Sequence, residues 1–366
     1  MGIDALSSLI DGPGADAGPV VFSRGNGAWN GSASRFGDEV RGLAAALSGY
    51  GLGAGARAAV LGSEGCGTMQ AGLAILAAGA TLVPLDPSVS DDGLRRALAS
   101  TGAVQVIAAD ERQLARVLAL RPDLPALELV LLMSAAPSER KPAALLVDAA
   151  TAVGLASLAS DPDQLRRALA ESEGRAACLL VDASGEILEI GRATLLSLAD
   201  AMARAVGLAQ GKTVLASLPV AGVVRLGASL AALSQGATLL LPDSAERPDA
   251  GLAQKPADAV LLDVSGLERL FRAWVEDIEA RGWLGRGVTR WALREGRKAD
   301  RDGWKHSLAD RFALRELRGK LGGRATGLDV IVSGGRGVSS EVEAFFAATG
   351  LSVRYHSPDT GAALAR

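Results

Sequence analysis

Ten residues in the first quarter of the chain recur, in a closely matching pattern, 157 residues later. LAILAAGATL (73–82) lines up with LAALSQGATL (230–239), and Asp86 and Asp243 fall at the same offset. LAAALSGYGLGAGARAAVL (43–61) lines up with LADAMARAVGLAQGKTVL (198–215), with one residue of slack. Each copy reads helix, glycine, strand, helix, glycine, strand. Ala- and Leu-rich helices resemble one another in general, but the in-register Gly-Ala-Thr and Asp argue for duplication. A chain built this way is constrained to two similarly wound α/β modules lying side by side.

The order along the chain agrees. Phe36, Val40, Leu43 and Leu47 are spaced for one face of a helix over 34–50, stopped by the glycines of 51–55. Buried strands are expected at 20–23, 56–61, 81–85, 104–108 and 127–133, with helices at 69–78, 91–100 and 111–120 between them. Strands alternating with helices of ten or so residues predict parallel sheets covered on both faces. Residues 134–163 read as loop followed by an Ala-rich stretch of no clear period. The fold class expected is therefore α/β, two doubly wound parallel-sheet subdomains over 1–160 and 161–366. A helical insertion is expected at about 266–324, and a last strand, helix and strand at 328–333, 339–349 and 352–355.

Between the modules, RAACLLVDASGEILEIGR (175–192) reads as a β-hairpin. Its strands are 177–181 and 186–190, and Asp182-Ala183-Ser184-Gly185 makes the turn.

With 49% hydrophobic residues in 366, the chain can build a large core. A net charge of -3 gives no global field for nucleic acid. Two cysteines, Cys66 and Cys178, fit a reducing compartment. Asp4 stands where a signal peptide would be basic, Leu6 departs from the acylation pattern, and Gly79 and Pro84 break the apolar run at 71–85. A cytoplasmic protein with no transmembrane segment is expected. Residues 281–324 hold thirteen Lys/Arg against five Asp/Glu, and Trp274, Trp283, Trp291 and Trp304 lie in or near them. This region is either a peripheral membrane or partner-binding face, or a solvated basic helical pair whose tryptophans dock on the sheet domain.

The most specific stretch is LADRFALRELRGKLGGRATGLDVIVSGGRGVSSEVEAFFAATGLSV (308–353), with its Ser333-Gly334-Gly335-Arg336-Gly337-Val338-Ser339-Ser340-Glu341. It resembles the adenylate-forming acyl-CoA synthetases, the long-chain fatty-acid–CoA ligases in particular. Trp291-Ala292-Leu293-Arg294-Glu295-Gly296-Arg297 and the first module fit the same group, so the resemblance runs from about Trp29 onward. It implies a carboxylate activated by ATP and Mg²⁺ to an acyl-adenylate, then passed to CoA. Such chemistry needs a Gly/Ser/Thr loop with a lysine around the phosphates and a carboxylate for the metal.

Several positions depart from that pattern. Where the family's phosphate loop follows the strand 177–181, only Ser184 and Gly185 remain, followed by Glu186 and with Glu189 nearby. Gly222 replaces the histidine beside the acyl site. Ser333, Gly334, Gly335 and Arg336 form the candidate nucleotide-binding turn, which reads equally as a strand-to-helix turn kept for folding. Asp359 and Thr360 are the candidate remnant of the motif that holds Mg²⁺ and phosphate, or part of an unstructured tail. His306, His356, Cys66 and Cys178 make no catalytic constellation, and no metal-ligand cluster is evident. The resemblance places the ribose-binding aspartate and the lysine-bearing C-terminal domain beyond Arg366, and both are expected to be absent. No cofactor is assigned, ATP, Mg²⁺ and CoA being expected only if the family activity is kept.

Three readings follow. The first is a degenerate acyl-CoA-synthetase-like pseudoenzyme that binds or assembles with an active paralogue or its own twin. The second is a fatty-acid–CoA ligase completed by another chain. The third is a sensor of a fatty acyl group or an adenine nucleotide, which an open apolar tunnel would favour and a filled one would not.

Overall fold

A computed structural model describes residues 21–23, 33–62, 65–133, 144–182, 185–218, 223–241, 257–296, 308–320, 327–331 and 337–356. Its described strands are β1 (Val21–Ser23), β2 (Arg57–Leu61), β3 (Thr81–Leu85), β4 (Gln105–Ala108), β5 (Leu129–Leu132), β6 (Leu145–Leu146), β7 (Ala176–Val181) and β8 (Ile187–Gly191), followed by β9 (Thr213–Ser217), β10 (Thr238–Leu241), β11 (Ala259–Asp263), β12 (Gly327–Ile331) and β13 (Ser352–His356). They form a seven-stranded sheet, β6-β5-β4-β2-β3-β7-β8, and a six-stranded sheet, β1-β10-β9-β11-β12-β13. All pairings are parallel except β7 with β8.

The first module's helices are α1 (Ala33–Gly49), α2 (Cys66–Ala77), α3 (Asp91–Thr101), α4 (Glu111–Leu120), α5 (Val147–Ser160) and α6 (Gln164–Glu171). The remainder are α7 (Arg192–Val206), α8 (Val223–Gln235), α9 (Val264–Glu279), α10 (Trp283–Gly296), α11 (Arg315–Gly319) and α12 (Ser340–Thr349). Local chemistry sets several ends. Ser90 and Asp110 accept hydrogen bonds from Gly93 N and Gln113 N at the starts of α3 and α4. Asp263 does the same for Gly266 N at the start of α9.

The duplication is visible in the elements. α2 and α8 begin at Cys66 and Val223, β3 and β10 at Thr81 and Thr238, and α1 and α7 end at Gly49 and Val206, each pair 157 residues apart. β2 lies beside β3 as β9 lies beside β10.

Alternation along the strands divides the core. Ala58 and Val60 of β2, Val214 and Ala216 of β9, and Ala259 and Leu261 of β11 face one shared cluster with α1, α2, α7 and α8. Ala59 and Leu61 face α3 and α4 on the far side of the first sheet. Leu215, Val260 and Leu262 face α9 and α12 on the far side of the second. There Trp274 is fully buried, its ring 5.5 Å from Phe346, and Phe345 and Phe271 meet edge-on at 5.0 Å.

The expected break near residue 160 does not coincide with sheet membership. β7 and β8 complete the first sheet: Cys178 pairs with Leu82, and Thr81 Oγ1 donates to Ala176 O at 2.7 Å. The apolar run of 177–181 fits the open edge of β3, which carries the first sheet through Gly191. β1 crosses the other way, pairing with β10. Another difference is α5, in a stretch without clear period. It packs on α1 by close approach of small residues: a Cβ on Gly154 would stand 1.8 Å from Gly42 O. The helical expectation for 266–324 holds in α9, α10 and α11.

The Gly42–Gly154 crossing has a direct test. Gly154→Ala should destabilise the protein by about 2 kcal/mol in urea unfolding, since the helices cannot part without disturbing the buried face of α1. Val153→Ala, at a position 58% exposed, should change stability by less than about 0.5 kcal/mol.

Candidate functional site

β7 and β8 run antiparallel from Val181↔Ile187 back to Ala176↔Gly191. Their turn is closed by its own backbone. Asp182 N donates to Glu186 O at 3.0 Å and Gly185 N donates to Asp182 O at 3.1 Å. The Asp182 carboxylate accepts from Glu186 N at 2.9 Å. Gly185 has φ +91, the left-handed conformation that ends a three-residue hairpin loop at little cost only for glycine. The hairpin expected from the sequence is therefore present, with Gly185 at its closing corner.

A phosphate cradle needs backbone N–H groups aimed outward at the ligand. Here the N–H groups of Asp182, Gly185 and Glu186 are all engaged within the turn. Asp182, Glu186 and Glu189 are exposed around it, so the field at this end of the hairpin is negative. The described residues of the turn therefore offer a phosphate no outward N–H donor.

Other candidates follow, in sequence, strands of the second sheet. β9 and β12 are separated by β11 alone, and β13 adjoins β12. The segment containing Gly222 follows the carboxyl end of β9, and Ser333, Gly334, Gly335 and Arg336 follow the carboxyl end of β12. Asp359 and Thr360 follow β13. Ligands of open parallel sheets bind along this carboxyl edge. These residues, with Ser184 and His306, lie outside the described residues. Among the described residues, no group of three or more His, Cys, Asp or Glu is placed to hold a metal ion.

Where the modules meet, a small recess of about 30 Å³ lies between α2, β3 and α8. Val60, Met69, Leu82, Cys178 and Leu226 give it an apolar lining. Burial pushes the Cys178 thiol up to about 12, so it is neutral at physiological pH and a poor nucleophile. Arg225 borders the same recess at 5% exposure, donating from Nη2 to Gly65 O at 2.7 Å and to Thr68 Oγ1 at 3.1 Å. It ties the second module to the first turn of α2. The sequence reading passed over it, and its signal was a single charge inside the apolar run VVRLGASLAAL.

Against known proteins, residues 29–167 match the family model described as AMP-binding enzyme. No curated protein matches the chain in sequence. Its structure is similar to the anthranilate CoA ligase AuaEII in complex with anthranoyl-AMP, with TM-score 0.65 and 13% identity over 97% of this chain and 59% of that one. It is also similar to a putative long-chain-fatty-acid CoA ligase from Rhodopseudomonas palustris, with TM-score 0.64 and 15% identity over 96% of this chain and 73% of that one. The N-terminal domain of FACL13 from Mycobacterium tuberculosis gives TM-score 0.61 and 12% identity over 96% and 74%. The chain thus spans 59% of the anthranilate ligase. Residues 29–167 match the AMP-binding enzyme family model, and the chain as a whole shares its fold with these CoA ligases.

Proposed function

We propose that this chain is a non-catalytic relative of the acyl-CoA synthetases, which works by binding or assembly and does not activate a carboxylate. One observation carries the reading: among the described residues of the β7–β8 turn, Asp182, Gly185 and Glu186 engage their N–H donors within the turn, where the resemblance calls for a phosphate loop. Removing one preorganised donor from a site that stabilises developing charge typically costs about a hundred- to a thousandfold in rate. Here the loop's length, its hydroxyls and its lysine are replaced together. A second chain cannot easily restore it, because the turn lies between two strands paired within this one.

A second reading, an apolar ligand held without chemistry, requires the recess between the modules to open, because its volume of about 30 Å³ does not admit an acyl or aromatic group.

Calorimetric titration separates these. MgATP should give no binding heat at micromolar protein, and pyrophosphate release with fatty acids and CoA should stay at background. Micromolar MgATP affinity, or pyrophosphate formed at a steady rate, would sink the non-catalytic reading. Micromolar binding of a non-hydrolysable acyl-adenylate mimic without MgATP binding would support the ligand-holding variant.

The thiol gives an independent check on the recess. In a Cys66→Ser variant, Cys178 should react with a disulfide reagent at pH 8 only after denaturant is added, as its raised pKa and full burial require. Stoichiometric reaction in the native state would show that the recess opens far more widely.

A further inference from the structure

Trp274 on α9 is fully buried, and Trp291 on α10 packs partly against the same core, as expected of tryptophans that dock on the sheet domain. Trp283 does not dock. It begins α10 at 76% exposure, the most exposed large apolar side chain among the described residues. Leu284 at 62% and Val288 at 42% continue its side of the helix. Thr289, Ala292, Leu293 and Gly296 take the opposite side, against the protein.

One turn on from Trp283, on the same exposed side, stands Gly287. A Cβ placed on Gly287 would meet nothing within 4 Å, so the glycine leaves an open slot beside Trp283, Leu284 and Val288. The tip thus carries an exposed indole and, one helical turn away, a slot with room to receive one. The charges around it balance. Over 276–296, Glu276, Asp277, Glu279 and Glu295 stand against Arg281, Arg286, Arg290 and Arg294. Glu279 serves two of these arginines, with Oε1 2.5 Å from Arg290 Nη2 and Oε2 3.9 Å from Arg286 Nη1. Glu276 and Arg294, one of each sign, are exposed and have no ion-pair partner among the described residues.

We propose that the first two turns of α10 form a two-fold contact between copies of this chain, the Trp283 indole of each copy lying over Gly287 of the other. A two-fold contact sets a surface against itself, so each projection must find its slot, and each charge its opposite, on the same patch. The tip of α10 meets both conditions. Its indole and slot lie one turn apart, and its rim holds both signs in equal number, so two copies meet without net repulsion. A balanced rim selects no partner of a single charge sign. A tryptophan at the centre of a polar rim also has the composition of an interface hot spot. The apolar patch is small, so the expected dissociation constant is on the order of 10 μM. The contact rests on the assembly reading for its purpose and supplies the partner. Nucleotide heats test that reading, whereas molar mass tests the contact.

The test is sedimentation equilibrium of the full chain from about 1 to 200 μM. The mean molar mass should rise from the 37.2 kDa of one chain toward twice that value. Trp283→Ser should weaken the association by at least about tenfold. Gly287→Leu is the sharper variant. It removes no contact within the chain, fills the slot and favours the helix, so it should melt no lower than the parent yet stay monomeric over the same range. Val153→Ser, at an exposed apolar position on α5, should leave the dimer as it is. A monomer at every concentration would overturn the proposal, as would a dimer that survives both α10 substitutions. A dimer dissolved by Val153→Ser instead would place the contact on α5 and overturn it equally.

Discussion

The core shared by the two sheets buries most of helices α2 and α8, so a polar side chain on their buried faces must find a partner inside the protein or not be there. This constraint accounts for the sequence of α2, CGTMQAGLAILA, in which no amphipathic stripe can be drawn. It also explains the abundance of alanine, because small side chains let helices and sheets approach on both sides at once. Arg225 is a charged residue there, and its guanidinium, at 5% exposure, donates to Gly65 O and Thr68 Oγ1 across the seam. The orientation of one module on the other is thereby fixed by a directional contact as well as by apolar packing.

The hairpin is the second place where backbone accounting governs what the molecule can do. A loop that binds phosphate leaves its N–H groups unsatisfied until the ligand arrives. A loop that closes a tight turn uses them immediately. β7 and β8 have taken the second course, and the left-handed Gly185 makes the closure inexpensive. Strand pairing and sheet order do not depend on how this corner is used, so the fold alone does not settle what the chain does.

Much of this was legible in the sequence because the relevant signals are local. The Asp-Ala-Ser-Gly turn between apolar runs places the hairpin, and the repeated Gly-Ala-Thr places equivalent strands in the two modules. What escaped were features set by non-local contact. α5 has no clear period because Gly154 meets Gly42 on another helix, and nothing within residues 147–160 announces that partner. Sheet membership of β7 was missed for the same reason, since an apolar strand does not state which open edge it will fill. The docking of Trp274 and the exposure of Trp283 divide a region whose tryptophans look alike in sequence.

The exchange of strands between the halves bears on how the chain can be made. Residues 21–23 leave the ribosome early, yet their pairing partner in β10 emerges more than two hundred residues later. The first sheet, for its part, lacks β7 and β8 until residue 191 has been synthesised. Contacts of such long sequence separation slow folding, and an unfilled sheet edge invites pairing with a neighbouring chain. The two modules are therefore similar in architecture without being separate folding units. Neither finishes before the other has begun, and a nascent chain of this kind depends on protection during the interval.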